Sequence, residues 1–251
     1  MSAAYTLDPN YAELRPFIED IANRFHDDAA TIHHARNVLK VFDVNKRRIV
    51  VKAFKVPNII NRIAYGFFRD SKAARSYLYS QKLIRLGIAT PRPIAFVEYK
   101  TLGLLQQSYY VCEYLEESFE IRAVLRDAHF ANREQIFKAF AAFSYQLHEA
   151  GVYHVDYSPG NVLITEEAGH YDFSIVDVNR MEFIDFDDEL RMKNLSRFSA
   201  SEEDTRMLAT FYAEAAGLNV EWAIKRLLFY HGKHQEYLQK KKRLKKLRKP
   251  R

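Results

Sequence analysis

At 251 residues, 48% apolar and 28% charged, the chain can bury a core as one large domain or two lobes and has the balance of an ordinary globular protein. A single cysteine, Cys112, excludes an internal disulfide and any cysteine-rich zinc site, and its apolar setting Tyr109-Tyr110-Val111 marks it as a buried, inert thiol. The net charge of +6 is local: Lys240, Lys241, Lys242, Arg243, Lys245, Lys246, Arg248, Lys249 and Arg251 supply nine positive charges without an acid, which leaves about −3 for the rest.

In chain order, Met1 to Asn10 shows no charged-then-apolar signal pattern, and no uninterrupted apolar stretch reaches membrane-spanning length. An intracellular protein, not integral to a membrane, is expected. Leu14, Phe17, Ile18, Ile21 and Phe25 recur at helical spacing and predict one helix over Pro9 to Asp27. Strands are predicted at Thr31 to Ala35, Val38 to Val44 and Arg48 to Phe54, with Asn45-Lys46 as the turn between the last two. Pro57 to Asp70 is irregular and basic. Ser71 caps a helix to about Leu86, stopped by Gly87 and Pro91. Ile94 to Tyr99 and Ser108 to Leu115 read as further strands.

After Glu116-Glu117 the pattern turns helical. Ile121 to Ala128 and Asn132 to Ala150 read as helices, Val162 to Ile164 and Phe173 to Val176 as strands, and the chain from Ser199 as mostly helix, including Glu202 to Ala216 and Val220 to Tyr230. The change of character places a boundary between residues 1–116, an N-terminal lobe with a leading helix, a β-sheet and one cleft helix, and residues 117–251, a helical lobe.

Between two predicted elements lies Gly151 to Thr165, which sets His154, Asp156 and Asn161 in the spacing H-x-D-x-x-x-x-N, with Val162-Leu163-Ile164 directly after. This is the catalytic-loop pattern of protein kinases and their relatives, in which the Asp engages the acceptor hydroxyl and the Asn holds Mg²⁺. A polar turn bent by Pro159-Gly160 is the plainer alternative. Ile49-Val50-Val51-Lys52 resembles the kinase strand V-A-I-K. Alternation puts Val50, Lys52 and Phe54 on one face and Lys55 on the other, so Lys52 is the phosphate-binding candidate and Val50 part of an adenine ceiling. The alternative is a solvent-facing lysine. Phe173-Ser174-Ile175-Val176 delivers Asp177 at a strand end, in the place of the Asp of D-F-G. A carboxylate with the Asn161 amide is an oxygen-only pair that suits Mg²⁺; a turn-forming Asp is the other reading. Asp156 is the candidate for the acceptor proton, and His154 an architectural residue bonding the nearby backbone. Val155 stands where H-R-D has Arg, so control through a phosphorylated activation loop is not expected.

These residues, with Ser71-Lys72-Ala73 and Leu86-Gly87-Ile88-Ala89-Thr90-Pro91-Arg92-Pro93-Ile94-Ala95, resemble the lipopolysaccharide core kinase family, the heptose and Kdo kinases, over most of residues 30–215. The resemblance implies an α+β, bilobal protein-kinase-like fold with a small N-terminal β-sheet lobe and a mainly helical C-terminal lobe. It implies ATP and Mg²⁺ as cofactors, Asp156 and Lys52 as catalytic residues, and Asn161 and Asp177 as metal ligands. Lys52, Val50, Glu113 and Leu115 would form the nucleotide site, with the backbone of Glu113-Tyr114-Leu115 on the adenine edge. The chain departs from the pattern in two places. No Gly-rich loop is present, His33 to Asn37 taking its position with Arg36 as a substitute for phosphate contact. The helix Ser71 to Leu86 has no Asp or Glu for Lys52, leaving Gln81 or Asp70 as candidates.

The expected function is therefore an ATP- and Mg²⁺-dependent phosphotransferase acting on a Kdo or heptose hydroxyl of the lipopolysaccharide inner core, as a cytoplasmic monomer. A small atypical Ser/Thr protein kinase and a catalytically silent nucleotide-binding pseudokinase are the alternatives. Asp204 either braces the catalytic loop or sits at its helix N-terminus for the dipole alone. The basic tail is either solvated or drawn to anionic lipid or lipid A phosphates, Leu238, Leu244 and Leu247 being consistent with an interfacial helix. Nucleic acid competes for any basic run, and with no base-stacking aromatic motif the tail does not discriminate the two; nucleic acid is not the expected partner.

Overall fold

Alternating apolar residues in Arg47–Phe54 determine the two sides of the sheet on which the first half of the chain is built. The computed structural model describes residues 2–25, 30–34, 37–56, 65, 69–198 and 201–247, with the backbone alone for 2, 30–34 and 245–247. Arg36 and nearly all of the basic stretch from Pro57 lie outside the described residues. The chain divides into two units, Met1–Glu116 with Ile175–Asn179, and Glu117–Ser174 with Arg180–Arg251.

In the first unit, strands β1 (Ser2–Leu7), β2 (Ala30–His34), β3 (Val38–Val44), β4 (Arg47–Phe54), β5 (Pro93–Thr101) and β6 (Leu104–Glu113) form one sheet in the order β1-β5-β6-β4-β3-β2. Asn45 and Lys46, at φ 50° and 64°, make the tight turn between β3 and β4 that suits the twist of a hairpin. Ile49 and Val51 point to one face, where Tyr11, Leu14, Phe17, Ile18, Ile21 and Phe25 cover them. Val50 and Phe54 lie on the other face with Tyr110 and Cys112, beneath Ala73 and Tyr77 of helix α3 (Lys72–Arg85). Ser71 caps α3 by accepting from the Ala74 N–H at 3.1 Å.

The leading segment is not the single helix that its periodicity predicts. It is a 3₁₀ turn, Pro9–Leu14, followed by α1 (Arg15–Glu19) and α2 (Ile21–Arg24). Pro16 has no N–H to continue the first turn, so a new helix starts there. Asp20 leaves helical geometry at φ −102°, ψ 12°, and its carboxylate accepts from Asn23 and Arg24 instead. The apolar spacing survives these breaks because each piece still turns its apolar side to the sheet.

The second unit contains α4 (Arg122–Arg126), α5 (Arg133–Glu149), α6 (Asp188–Leu195), α7 (Glu202–Ala216) and α8 (Val220–Leu247). Its strands are β7 (Phe119–Glu120), β8 (Val152–His154), β9 (Val162–Glu167), β10 (His170–Ile175) and β11 (Met181–Phe183), in sheets β10-β9-β7 and β11-β8. Phe140 of α5, Tyr157, Phe173 of β10 and Phe198 form an aromatic core, with ring centroids 4.3 Å apart for Phe140 and Phe198. Helix α8 is a single element that carries the basic run on to Leu247, well beyond the Tyr230 that the sequence predicts. Among the described residues no helix is long and apolar enough to cross a membrane.

Candidate active site

Strand β4 delivers Lys52 opposite Leu39 of β3 and Tyr110 of β6. Its Nζ lies 2.5 Å from Asp177 Oδ1 and 5.3 Å from the centre of the Phe54 ring. Lys52 is therefore paired not with a residue of α3 but with the strand-end carboxylate itself. Gln81 donates to the Tyr77 hydroxyl at 3.0 Å and Asp70 is exposed. Asp177 has φ +57°, a left-handed backbone uncommon for a residue with a side chain, though Asp adopts it more readily than most. That conformation turns its Oδ1 to Lys52 and to Asn179 Nδ2, which donates at 2.6 Å. The segment before it is tied in place by Thr90 Oγ1, which donates to the Ile175 carbonyl at 2.7 Å, and by the Ile175 N–H, which donates to Ala89. The Ala89-Thr90 pair of the G-I-A-T-P run thus holds Ile175, two residues before Asp177.

Val50 pairs with Val41 and Cys112, on the same face as Lys52. Burial pushes the Cys112 thiol up to about 12, against the opposing effect of Lys52, so it stays protonated and unreactive. The Glu113 carboxylate accepts from the Tyr11 hydroxyl at 2.8 Å and lies 3.8 Å from Arg47. The Glu113 N–H donates to Arg92 and the Tyr114 N–H to Arg48.

In the second unit β8 pairs His154 with Met181 and releases the chain into the loop of Asp156 and Asn161. His154 is fully buried and its Nδ1 accepts the Asp156 N–H at 3.1 Å. Asn161 Nδ2 donates to the Asp156 carbonyl at 2.8 Å, closing the loop on itself. Because a carbonyl can only accept, this contact identifies the nitrogen end of the amide and leaves Oδ1 as the end suited to a hard cation. A relay supports the loop from below. The Tyr212 hydroxyl bonds His148 Nδ1 at 2.7 Å, His148 Nε2 bonds Asn194 Oδ1 at 3.1 Å, and Asn194 Nδ2 donates to the His154 carbonyl at 3.0 Å. The last bond fixes the order: Asn194 offers oxygen to His148, which is protonated on Nε2 and accepts at Nδ1. Burial holds the His148 imidazole at about 3, so it remains neutral.

The lipopolysaccharide kinase (Kdo/WaaP) family model matches residues 43–215. The chain belongs to that family. It is accordingly a kinase of protein-kinase-like fold. Among solved structures it is similar to WaaP in complex with acyl carrier protein, at TM-score 0.65 and 17% identity over 94% of this chain and 99% of that one. It is also similar to the Rio2 kinase-ADP/Mg²⁺-phosphoaspartate complex from Chaetomium thermophilum, at TM-score 0.50 and 14% identity, over 94% and 82% of the two chains. At these identities the likeness is one of fold. No curated protein matches the sequence.

Among the described residues of this family member, Asp204 makes no hydrogen bond or ion pair with the catalytic loop. Its Oδ1 accepts from Arg133 Nη2 of α5 at 2.5 Å, and its N–H donates to Ser201 Oγ. The residue that does approach Asp156 is Arg197, unmarked by any motif: its Nη1 donates to the Val155 carbonyl at 2.6 Å and lies 3.4 Å from Asp156 Oδ1. Helix α6, which leads to Arg197, had a signal that could have revealed it. Asp187 is a cap, accepting from Leu190 N–H at 2.7 Å, and Asp188 and Glu189 fill the first turn.

Proposed function

We propose that the chain transfers the γ-phosphoryl group of Mg²⁺-bound ATP to a hydroxyl of Kdo or heptose in the lipopolysaccharide inner core. The observation that carries this reading is the Asp156–Asn161 loop, in which the amide nitrogen is bonded inward and the carboxylate, half exposed, stays open to an acceptor. In the transfer, the acceptor oxygen forms a bond to the γ-phosphorus while the bond from that phosphorus to the bridging oxygen breaks, and ADP leaves with the electron pair. Asp156 orients the hydroxyl and takes its proton on a carboxylate oxygen. Lys52 binds and orients the phosphates once they compete with Asp177 for its ammonium.

Asn161 Oδ1 and the Asp177 carboxylate are the donors whose chemistry fits Mg²⁺, which would screen the phosphate charge. Among the described residues no group of three or more His, Cys, Asp or Glu could hold a metal ion.

Incubation with labelled ATP and either Kdo–lipid A or generic protein substrates tests the proposal. Label on the saccharide, lost in Asp156→Ala with the protein still folded, is the expected result. Label on protein alone makes the chain a protein kinase. Tight ATP binding without turnover on any acceptor makes it a pseudokinase.

The basic face of α8 supports peripheral attachment at the cytoplasmic membrane surface. Phe229, Tyr237 and Leu244 are exposed along it, Lys233 lies over the Phe229 ring at 4.2 Å, and Lys241 near the Tyr237 ring at 5.9 Å. Apolar rings beside lysines suit an anionic interface, with about 1 kcal/mol per basic residue near the surface. Sedimentation with anionic vesicles, lost at high salt and in a Lys240→Glu, Lys241→Glu, Lys242→Glu variant, is expected. Because one similar structure is a complex with acyl carrier protein, that carrier belongs in the same assay. Binding to the carrier and not to vesicles would replace the membrane reading.

A further inference from the structure

The short segment after α6 makes three successive contacts with the catalytic loop. Asn194 Nδ2 donates to the carbonyl of His154, Arg197 Nη1 donates to the carbonyl of Val155, and Phe198 packs against Tyr157 with ring centroids 4.7 Å apart. These are loop residues 154, 155 and 157, so the segment holds the loop on both sides of Asp156, by backbone carbonyls before it and by the Tyr157 ring after it. Arg197 also extends to the carboxylate, at 3.4 Å from Oδ1. The same Nη1 therefore bridges the loop backbone and the side chain that the loop presents.

The ion pair itself is partly exposed, at 38% for Arg197 and 49% for Asp156. The other contact is a short charge-assisted bond to a backbone carbonyl, which fixes where the guanidinium sits before the carboxylate is considered. The other end of the segment is anchored too. Phe198 is buried, with its ring 4.3 Å from that of Phe140, and Ser196 receives His231 of α8, whose Nδ1 is 3.3 Å from the Ser196 carbonyl. One turn further along α8, His234 faces the same groups. Burial, then Arg197 and His231, hold its imidazole below the ordinary value, with Asp156 opposing them. Val155, where relatives of the H-R-D type have Arg, contributes no cation. The structure supplies one in Arg197, 41 positions downstream of Asp156.

We infer that Arg197 is the positioning residue for Asp156: it fixes the direction of the carboxylate toward the acceptor hydroxyl and does not itself bind substrate. The inference rests on the phosphotransferase reading of Asp156. A misdirected carboxylate would still be present and would leave ground-state binding intact, so the loss should fall on turnover. With Kdo–lipid A and Mg²⁺-ATP, Arg197→Ala should lower kcat roughly 10²-fold, the scale for misplacing a reacting group by about an ångström, with KM for both substrates within about twofold. Arg197→Lys keeps a cation without the planar guanidinium and should fall between the two. It also carries the test should the alanine variant not fold, and wild-type kcat in a folded Arg197→Lys protein would overturn the inference. So would a raised acceptor KM with unchanged kcat, which would make Arg197 a substrate-binding group. Equal loss in both variants with a collapsed thermal midpoint would reduce it to a fold contact. Asp156→Ala in the same assay separates the two levels: if that variant keeps full activity, the reading of Asp156 fails, whatever Arg197 does.

Discussion

Lys52 and Asp177, 125 positions apart in the chain, meet with 2.5 Å between Nζ and Oδ1. The lysine that reads as the phosphate ligand is thus neutralised by the carboxylate that reads as the metal ligand. Each has a further use in the proposed reaction, the ammonium for phosphate and the carboxylate for Mg²⁺. Binding of Mg²⁺-ATP would replace one ion pair with two, which explains how Lys52 is held without an acid on α3.

Lys52→Met keeps the aliphatic stem against Phe54 and removes the charge. Mg²⁺-ATP affinity should fall, and kcat should drop roughly 10²-fold or more, the scale for removing one charge-stabilising donor. The fold should persist, since the Asp177 side chain is 34% exposed and can still be hydrated. Calorimetric titration with Mg²⁺-ATP checks this, and an unchanged isotherm would remove Lys52 from the site.

Asn161→Asp separates two tasks of one side chain. The substitution keeps an oxygen for a cation but cannot donate to the Asp156 carbonyl, so a loop bond worth about 1 kcal/mol is lost. Mg²⁺ should still support nucleotide binding while turnover falls. Asn161→Ala should lose both. A Mg²⁺ titration of nucleotide binding and of kcat in the two variants gives the comparison, and equal behaviour would show that only one of the tasks exists.

The parts legible in the sequence were those whose signal is local. Period-two alternation places Lys52 on its strand face, a fixed spacing places Asp156 and Asn161 in one loop, and the position of Ser71 before an apolar-periodic run marks the cap. What escaped depended on contacts between distant positions. Arg197 lies in Leu195-Ser196-Arg197-Phe198, which has no pattern of its own, and acquires meaning only from the Val155 carbonyl that it reaches. A local rule puts the partner of Lys52 on α3, whereas the structure pairs it with Asp177, 125 positions away. Strand β1, Ser2–Leu7, carries weak alternation and becomes a strand by pairing with β5, Tyr5 opposite Val97. The breaks in the leading helix were legible in principle, since Pro16 stands in the middle of the periodic run.

The His148 relay makes stability fall in acid. Its imidazole titrates at about 3 in the folded protein against 6.5 unfolded, so below pH 6.5 the unfolded chain binds the proton and the folded one does not. Stability from this residue is fully present above pH 6.5 and declines as the pH drops toward 3, by about 2 kcal/mol at pH 5. Thermal denaturation of wild type and His148→Gln between pH 5 and 8 tests this: the variant should be less stable at pH 7 and show a flatter profile. Parallel curves would assign the acid sensitivity to other groups.

Arg133 and Asp204 hold α5 to α7 with a contact of 2.5 Å, at side-chain exposures of 14% and 4%. Arg133 is fixed further by its Nε bond to the Val124 carbonyl and by its place over the Phe137 ring, 4.8 Å from the centre. Removing one member of such a pair strands a buried charge, whereas removing both does not. Arg133→Met should therefore cost about 3 kcal/mol or more, while the double variant Arg133→Met, Asp204→Leu should recover most of the loss. Chemical denaturation of the two variants gives both numbers. Because Asp204 bonds Arg133 and not the catalytic loop, the folded fraction of each variant should keep its Mg²⁺-ATP affinity. A specific loss of turnover in the stable double variant would show that Asp204 acts on the loop after all.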